Sequence, residues 1–485
     1  MTTPEVSWLA ILPELLLALG AGVVLLVDVE WKPPAWVLGG AAGLAIFLAT
    51  GVTVVQWIEV ADVVRADLAA DLVVFSGLIV MDGFAVFGRL ALLAVTAMGL
   101  VSGWRLIEST GRRGAEAIAL VLLATAGFSL MVSSNNLVML FLGLEVGSIA
   151  LYVLAGLTRE RAGSDEAAMK YFLLGSFASA IFVYGVALLY AGTGELEIIA
   201  IREFFSRVVV ANPAVLMVGL GLIIVGLGFK VSAAPFHAWA PDVYQGAPAG
   251  LVGYLAGVAK VAGFAAMARI FLTGVVELEA SWVPVMGGIA ALSMLLGSVV
   301  ALVQSDVKRM LAYSGVAHAG FIMTGVVGAV SDGVLFYVAV YALQLVGAFA
   351  VVSAVSGPAV TASELSDYKG LAAKSPGLAA GFSVLLLGMA GMPLTAGFVA
   401  KFGVFSGAWD RGQHWLVIIA VLASVIALAF YLRIIVTMYM EDAEGAETAV
   451  PVPVRWVVLL AVAATIGWGI FPGFLLDLAS DALAL

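Results

Sequence analysis

The sequence predicts an all-α polytopic membrane protein that crosses the bilayer about fourteen times. Of its 485 residues, 63% are hydrophobic and only 11% are charged, which leaves too little polar surface for a soluble globular domain. Apolar runs of about 20 residues, enough to span a bilayer as a helix, follow one another along the chain. They are uniformly apolar rather than alternating, which argues against a transmembrane β-barrel.

Fourteen apolar runs qualify as membrane spans, and no interval between them is long enough for a soluble domain. Residues 1–485 are therefore interpreted as a single integral membrane domain. In chain order the predicted spans are 7–28, 36–58, 77–103, 114–133, 135–157, 166–191, 211–239, 246–272, 281–303, 306–328, 333–356, 375–409, 413–439 and 453–477.

Basic residues predict how these spans are oriented, because short cytoplasmic loops are enriched in Lys and Arg. The loops after spans one, three, five, nine, eleven and thirteen carry most of them, for example Arg105, Lys308 and Lys369. These loops are therefore predicted to face the cytoplasm, which puts both chain termini on the outer side.

Polar residues inside the spans predict an internal repeat. Three of them in the first half recur in the second half at a spacing of 171 to 173 residues. Five spans separate the copies, an odd number, so the second copy must be inverted in the membrane. The matching pairs are Glu145 and His318, Lys230 and Lys401, and Lys260 and Arg433.

This repeat predicts how the chain is organised. Spans four to eight form one five-helix repeat and spans nine to thirteen the other. Three spans precede the repeats and one follows them. The corresponding segments are 1–110, 111–275 for the first repeat, 276–440 for the second, and 441–485.

Spans seven and twelve are predicted to be discontinuous helices. Both are unusually long, and each combines a lysine with a proline: Pro235 follows Lys230, and Pro393 precedes Lys401. Proline in a helix interior removes a backbone hydrogen bond and breaks or kinks the helix. Unwound backbone occurs within membrane proteins where it lines a cavity or an ion site.

Three lysines in apolar surroundings give the strongest functional signal. Lys230, Lys260 and Lys401 lie deep inside spans, where a charged side chain costs roughly 2.5–3.5 kcal/mol. We interpret Lys260 as a central proton relay and Lys401 as a terminal one. The alternative for Lys260 is a side chain that extends to the membrane interface, which its central position disfavours.

Glu145 supplies a carboxylate within span five. We expect it to pair with Lys230 and to tune the affinity of that lysine for a proton. Making and breaking the pair would switch Lys230 between holding and releasing a proton. The alternative is a static ion pair that fixes helix packing.

Two histidines are candidate proton carriers, because a neutral imidazole can pass a proton through its two nitrogens. His237 follows Pro235 in the broken part of span seven, and His318 lies on span ten. Capping of freed backbone groups is the alternative for His237. Tyr313 could add a hydroxyl near His318, although simple packing is favoured for it.

Other polar residues are given structural interpretations. Asp82 and Arg89, seven residues apart on span three, are predicted to form an ion pair. Asp242 is predicted to serve a turn or a cap. Lys170 is interpreted as an interfacial anchor, with proton uptake as the alternative.

No cofactor is predicted to bind this chain. The absence of cysteine excludes disulfides, thiolate metal ligands and cysteine nucleophiles. Its three histidines are too dispersed for an obvious metal site, and no nucleotide-binding loop is present. Charges are spread over short loops, so no nucleic-acid partner is predicted.

Several segments resemble the antiporter-like subunit N of bacterial respiratory complex I. The similarity runs from about residue 80 to 440, with the motifs in family order. They include FLGLEVGSIALY, GLGFKVSAAPFHAWAPDVYQGAPAG, AGVAKVAGF, DVKRMLAYSGVAHAGF and AGMPLTAGFVAKFGVF.

The resemblance implies fourteen helices in two inverted five-helix repeats and a proton-translocating unit of an NADH:quinone oxidoreductase. Glu145 with Lys230 would take the family's role of charge switch, Lys260 that of central relay and Lys401 that of outer relay. The two histidines would link them.

The resemblance also implies partners. NAD, FMN, Fe–S clusters and quinone would belong to other subunits, and this chain would hold no redox centre. Subunits M and K are the expected neighbours in the bacterial cell (inner) membrane, with J, A and L in the same complex.

Two rival functions are considered. A subunit of a multisubunit Na⁺/H⁺ antiporter would share the glutamate and lysines, but the motif FKVSAAPFHAWAPDVYQGAPA and the lysine at position 401 favour subunit N. The second rival is a scaffold that conducts no protons.

Overall fold

The computed structural model describes residues 7–65, 72–157, 162–208, 213–357, 363–442 and 450–484. These ranges are almost entirely α-helical, which confirms the predicted all-α class. The one sheet within them is a small antiparallel hairpin of β1 (Val73–Val74) and β2 (Ile79–Val80).

Twenty α-helices occur in the described ranges. They are α1 (Trp8–Trp31), α2 (Ala35–Arg65), α3 (Gly83–Ser102), α4 (Trp104–Ser109), α5 (Arg112–Val132), α6 (Leu137–Ala155), α7 (Ala162–Thr193), α8 (Ile198–Arg207), α9 (Ala214–Lys230), α10 (Trp239–Gly246), α11 (Ala249–Arg269), α12 (Glu279–Leu302), α13 (Val307–Val327), α14 (Ser331–Ser356), α15 (Leu371–Lys374), α16 (Pro376–Ala390), α17 (Ala396–Asp410), α18 (His414–Met440), α19 (Val452–Ile470) and α20 (Gly473–Ala484).

Twelve helices within these ranges are long and apolar enough to cross a membrane. They coincide with the predicted spans other than seven and twelve, so the polytopic membrane fold is confirmed. The helices are α1, α2, α3, α5, α6, α7, α11, α12, α13, α14, α18 and α19, with α11 extended by a π-helical turn and α12 preceded by a 3₁₀ turn.

The helix of predicted span seven is interrupted. α9 ends at Lys230, and the chain runs in turns to Ala238 before the short helix α10 follows at the end of the span. Pro235 lies in this break, where its ring and missing N–H prevent a continuous helix. Freed backbone groups find side-chain partners: the Trp239 indole donates to the Phe229 carbonyl at 2.9 Å.

The helix of predicted span twelve is also interrupted. α16 ends at Ala390 and α17 begins at Ala396. Gly391 ends α16 with φ +86°, a left-handed conformation that glycine adopts without strain. Pro393 lies in the gap between the two helices. Both breaks therefore occur at the predicted prolines.

The order of helices fits the predicted repeats. The series α5, α6, α7, α9 and α11 is followed by α12, α13, α14, α16–α17 and α18, and each has its broken member in fourth place. The inverted relation and the count of fourteen crossings stay predictions. However, Lys230 precedes its break whereas Lys401 follows its own, so their spacing of 171 residues does not place them at equivalent points.

Helices α11, α13 and α14 form the centre of the molecule. Nearly every side chain along them is buried, including Lys260 and His318. Helices that are apolar on all sides are expected in such a position. The peripheral helices α1, α2 and α19 turn large apolar side chains outward, such as Leu26, Phe47 and Leu460, as lipid-facing helices do.

The prediction that Asp82 pairs with Arg89 is wrong. Asp82 caps α3 by accepting the Ala85 N–H at 2.8 Å, and it pairs with Arg269 at 2.7 Å. Arg89 is fully buried and lies 2.8 Å from Glu14 on α1. Seven residues cover about 10 Å of helix, so the two side chains are too far apart along α3 for a close contact. Each pairs instead with a residue of another helix.

Candidate functional site

All three lysines are buried within the helix bundle. Lys230 ends α9, Lys260 lies in the middle of α11 and Lys401 lies on α17. Their exposed fractions are 4%, 2% and 5%. The alternative in which Lys260 extends to the membrane interface therefore does not hold.

Glu145 and Lys230 do not form the predicted direct ion pair among the described residues. The Lys230 ammonium donates to the Ser148 hydroxyl at 2.8 Å, and the Ser179 hydroxyl donates to the Glu145 carboxylate. Both serines line a cavity of about 10 Å³ beside Lys230, close to the space that one water molecule requires. The charges are thus joined through hydroxyls and a water-sized space.

Helix geometry explains why the direct pair is absent. Glu145 and Ser148 are three residues apart on α6, so they lie on similar but not identical faces of the helix. Ser148 is fully buried and meets Lys230, whereas half-buried Glu145 meets Ser179 on α7.

Aromatic rings complete the surroundings of Lys230. Its ammonium lies 4.8 Å from the ring centre of Phe128 and 5.8 Å from that of Tyr171. Ring faces attract cations, so the protonated lysine receives some stabilisation even without a carboxylate in contact.

Lys260 binds the unwound backbone that follows Lys230. Its ammonium donates to the Val231 carbonyl at 2.8 Å, to the Ser232 hydroxyl at 3.1 Å and to the Gly315 carbonyl at 2.8 Å. All three ammonium hydrogens therefore have acceptors. The contacts connect the first break with the central helix α13.

Lys401 makes a comparable contact at the second break. Its ammonium donates to the carbonyl of Ala390, the last residue of α16, at 2.9 Å, and to the Ser424 hydroxyl at 3.3 Å. It also lies 4.4 Å from the ring centre of Phe321.

Lys260 and Lys401 are therefore equivalent in their contacts. Each donates to a carbonyl freed where a broken helix ends, at Val231 after α9 and at Ala390 in α16. The C-terminal end of a helix is the negative end of its dipole and favours a cation. Lys260, and not Lys230, is therefore the residue whose contacts resemble those of Lys401.

His318 lies between these lysines and has hydroxyls at both nitrogens. Tyr431 Oη is 3.3 Å from Nε2, and Tyr337 Oη is 3.1 Å from Nδ1. The imidazole stacks on Tyr341, with ring centres 4.1 Å apart, and lies 5.7 Å from the Phe321 ring that also contacts Lys401.

His237 lies in the first break, next to Tyr313. The two ring centres are 6.1 Å apart. The buried Nδ1 of His237 has no hydrogen-bond partner among the described residues. Tyr313 was expected near His318, but the structure places its ring beside His237.

Lys170 lies apart from the buried lysines, in a surface cluster. It pairs with Glu166 and Asp242, each at 2.7 Å, and Arg309 also pairs with Asp242 at 2.7 Å. Burial raises the pKa of Asp242, but hydrogen bonds from Lys170 and Arg309 outweigh this and hold the pKa below its ordinary value. Asp242 thus bridges three helices instead of capping one.

Neutral groups surround the buried lysines. Among the described residues, hydroxyls, carbonyls and aromatic rings make their direct contacts, and Ser148, Ser179 and a small cavity lie between Lys230 and the Glu145 carboxylate. No group of three or more potential metal ligands occurs in the described part of the chain.

The line of polar residues approaches the molecular surface at both ends. Glu145 lines a groove of about 520 Å³ between α6 and α7, with Ser179 and Tyr184. Lys401 lines a groove of about 330 Å³ between α17 and α18, with Phe402 and Ser424. Groups outside this chain could therefore reach either end.

Sequence reasoning missed several hydroxyl residues of the site. Ser148 could have been found three residues after Glu145, because that spacing keeps two side chains on neighbouring faces of a helix. The others carry no local signal, since their partners lie on distant helices. They are Ser179, Ser232, Ser314, Tyr337, Tyr341, Ser424 and Tyr431.

Comparison with known proteins gives a consistent family. Residues 134–427 match the family described as "NADH:quinone oxidoreductase/Mrp antiporter, TM". The chain is 38% identical to NADH-quinone oxidoreductase subunit N 1 of Solibacter usitatus, over 98% of this chain and 97% of that protein.

Solved structures agree with this similarity. A chain of respiratory complex I from Thermus thermophilus with bound aureothin superposes with a TM-score of 0.80 at 30% identity, covering 96% of this chain and 98% of that one. A chain of the Mrp complex from a Dietzia species gives a TM-score of 0.76 at 20% identity, covering 97% of each, which shows a shared fold. The chain belongs to the NADH-quinone oxidoreductase subunit N family.

Proposed function

We propose that this chain translocates protons as a subunit of an NADH:quinone oxidoreductase. The main support for this proposal is a line of buried lysines. Their contacts extend from the first broken helix, through the central helices, to the second broken helix. The proposed relay residues are Glu145, Lys230, His237, Lys260, His318 and Lys401.

Contacts support a step-by-step transfer. Lys260 binds the carbonyl of Val231, the residue after Lys230, and His318 and Lys401 share the Phe321 ring. An ammonium buried without an anionic partner costs several kcal/mol. Passing the proton from one Nζ to the next group relieves that cost at the donor.

Glu145 would act as a switch through the serines. A proton or charge that arrives at its groove changes the field at Lys230 across Ser179, Ser148 and the water-sized cavity. Lys230 would then release its proton toward the break and Lys260. Tyr313, beside His237, could assist there, and Lys170 could take up protons at the cytoplasmic surface.

Redox chemistry is assigned to partner subunits. The chain contains no cysteine for Fe–S ligation, and its buried polar groups are proton carriers rather than ligands. NAD, FMN, Fe–S clusters and quinone would accordingly be held elsewhere, and quinone reduction there would drive the relay here.

Partner subunits would cover the two ends of the line. Grooves at Glu145 and at Lys401 lie on different helix pairs, which suits one neighbour on each side. Subunits M and K are the proposed neighbours, with J, A and L in the same assembly. We place the chain in the bacterial inner membrane with both termini outside.

The experiment compares Lys401→Ala with Lys369→Ala in the assembled complex. Lys369 is a partly exposed lysine paired with Glu441 at 3.2 Å, so its loss should leave transport intact. NADH-driven proton uptake by inverted vesicles should fall at least about tenfold for Lys401→Ala, as for loss of a proton-transfer group. Normal uptake by both variants would favour the non-conducting scaffold.

The antiporter alternative has a separate test. A Na⁺/H⁺ antiporter subunit would move protons in response to a Na⁺ gradient without NADH. Vesicles that carry the wild-type complex should acidify with NADH and show no proton movement on Na⁺ addition alone. Na⁺-driven movement that Lys401→Ala abolishes would favour the antiporter function.

A further inference from the structure

Three hydroxyl residues fill the space between Lys260 and His318. Ser314, Tyr341 and Tyr431, here called the hydroxyl cluster, come from α13, α14 and α18. All three are fully buried. Sequence reasoning assigned none of them a role.

Hydrogen bonds link part of this cluster directly to His318. Ser314 Oγ and Tyr431 Oη are hydrogen-bonded to each other, and Tyr431 Oη also lies 3.3 Å from His318 Nε2. The tyrosine hydroxyl thus bridges a serine and a titratable imidazole. Tyr337 engages the other nitrogen, Nδ1, at 3.1 Å, which keeps Nε2 turned toward Tyr431.

The remaining member lies on the Lys260 side. Tyr341 Oη is buried and has no hydrogen-bond partner among the described residues. The Tyr341 ring centre lies 5.9 Å from Lys260 Nζ, and both side chains border the backbone of Gly315. The Tyr341 side chain thus lies between the Lys260 ammonium and the His318 ring on which it stacks.

We propose that Tyr431 is a further proton-relay residue, which with Ser314 and Tyr341 carries the proton between Lys260 and His318. This inference rests on the proposed function, and it gives the second repeat's α18 a direct part in transfer.

The transfer balances at each atom. Before transfer, the Lys260 ammonium turns one N–H from its present acceptors, Val231, Ser232 and Gly315, to Tyr341 Oη, and the Tyr341 O–H turns to Ser314 Oγ. That N–H bond then breaks and its proton binds Tyr341 Oη, while the Tyr341 O–H bond breaks and its proton binds Ser314 Oγ. Ser314 likewise protonates Tyr431 Oη, which delivers its former proton to His318 Nε2. Each hydroxyl ends with one proton, Lys260 is left neutral and His318 becomes imidazolium. No oxidant or reductant is needed.

Two substitutions test the cluster in the assembled complex. Tyr431→Phe keeps the ring and removes the bridging hydroxyl, and Ser314→Ala removes the middle one. NADH-driven proton uptake by inverted vesicles is measured beside Lys260→Ala, with assembly checked on native gels. For each variant, the decrease in proton uptake relative to wild type should be at least half of the decrease caused by Lys260→Ala.

Tyr254→Phe is the matched control. Tyr254 is a fully buried tyrosine on α11, like Lys260, but its hydroxyl bonds the Val121 carbonyl at 2.7 Å and Thr125 at 2.9 Å, away from the relay. It should pump at the wild-type rate. An equal loss in this control would overturn the assignment, because any lost buried hydroxyl would then suffice.

The outcomes separate the two proposals. If Lys260→Ala stops uptake while Tyr431→Phe and Ser314→Ala pump at the wild-type rate, the hydroxyl cluster is overturned and the proposed function stands. If Lys260→Ala itself pumps normally, the proposed function fails. Should Tyr431→Phe not assemble, Ser314→Ala alone decides.

Discussion

Single residues show that the chain treats its buried charges in two ways. Glu14 and Arg89 neutralise each other in direct contact at 2.8 Å, with Ser129 also donating to Glu14 at 2.5 Å. Glu145 and Lys230 are instead held apart by two serines. A closed pair holds its charges fixed, whereas a separated pair can respond to a proton.

The serines between Glu145 and Lys230 should matter for transport. Ser148→Ala removes the hydroxyl that accepts from Lys230, and Ser179→Ala removes the hydroxyl that donates to Glu145. Each should lower NADH-driven proton uptake several-fold, a smaller loss than removal of a proton-transferring group typically causes. Ser298→Ala is the control, because its buried hydroxyl has no partner among the described residues. Unchanged uptake in both serine variants would contradict the switch.

The Glu14–Arg89 pair should matter for stability. Arg89→Ala leaves a buried carboxylate unpaired, which typically costs about 3–5 kcal/mol. The thermal midpoint of the purified complex should fall clearly. Arg411→Ala breaks the exposed pair with Glu279 and should cost at most about 1 kcal/mol. Equal midpoints for the two variants would show that the buried pair contributes little.

At the scale of elements, the two breaks determine where the lysines lie. A broken helix leaves carbonyls without an intrahelical partner, and inside a membrane each such group must find a donor. Lys260 and Lys401 supply those donors. The same contact holds the unwound backbone and fixes the position of an ammonium in the apolar core.

Gly391→Ala tests the coupling between the second break and Lys401. A Cβ at Gly391 would lie 2.8 Å from Lys401 Cδ, and φ there is +86°, so alanine is strained and displaces the lysine. Uptake and stability should both fall. Gly403→Ala, also near Lys401 but with open space around it, should be neutral or slightly stabilising. A normal Gly391→Ala variant would show that the lysine position is not tied to the break.

At the scale of the whole molecule, ionic contacts join the two predicted repeats at one surface. Asp242 on α10 binds Lys170 on α7 and Arg309 at the start of α13. Gln245 donates to Asp306 at 3.0 Å. The short helix after the first break is thereby fixed to the second repeat.

This cluster predicts a pH dependence of stability. The pKa of Asp242 in the folded protein is lowered from its ordinary 3.8. Its contribution to the free energy of unfolding is therefore fully present above pH 3.8, and it is lost as the pH falls from 3.8 through the folded-state pKa. Asp242→Asn should therefore be less stable than wild type at pH 6, and the difference in thermal midpoint should shrink toward pH 3. A constant difference over that range would exclude the carboxylate as its source.

The amino-acid sequence was enough to predict the class of protein, the twelve spans that the structure confirms and the two proline breaks. These follow from composition, run length and proline, which act locally along the chain. It also singled out Lys230, Lys260 and Lys401, because a charge in an apolar run is visible without knowing any neighbour.

The folded structure was needed to assign the partners of those residues. It replaced the expected Glu145–Lys230 contact by serines, matched Lys260 instead of Lys230 with Lys401, and moved Tyr313 to His237. It also brought Tyr431 from over a hundred residues away to His318. Such contacts depend on how helices rotate and pack against one another, and in helices that are apolar on every side no periodicity in the sequence records that rotation.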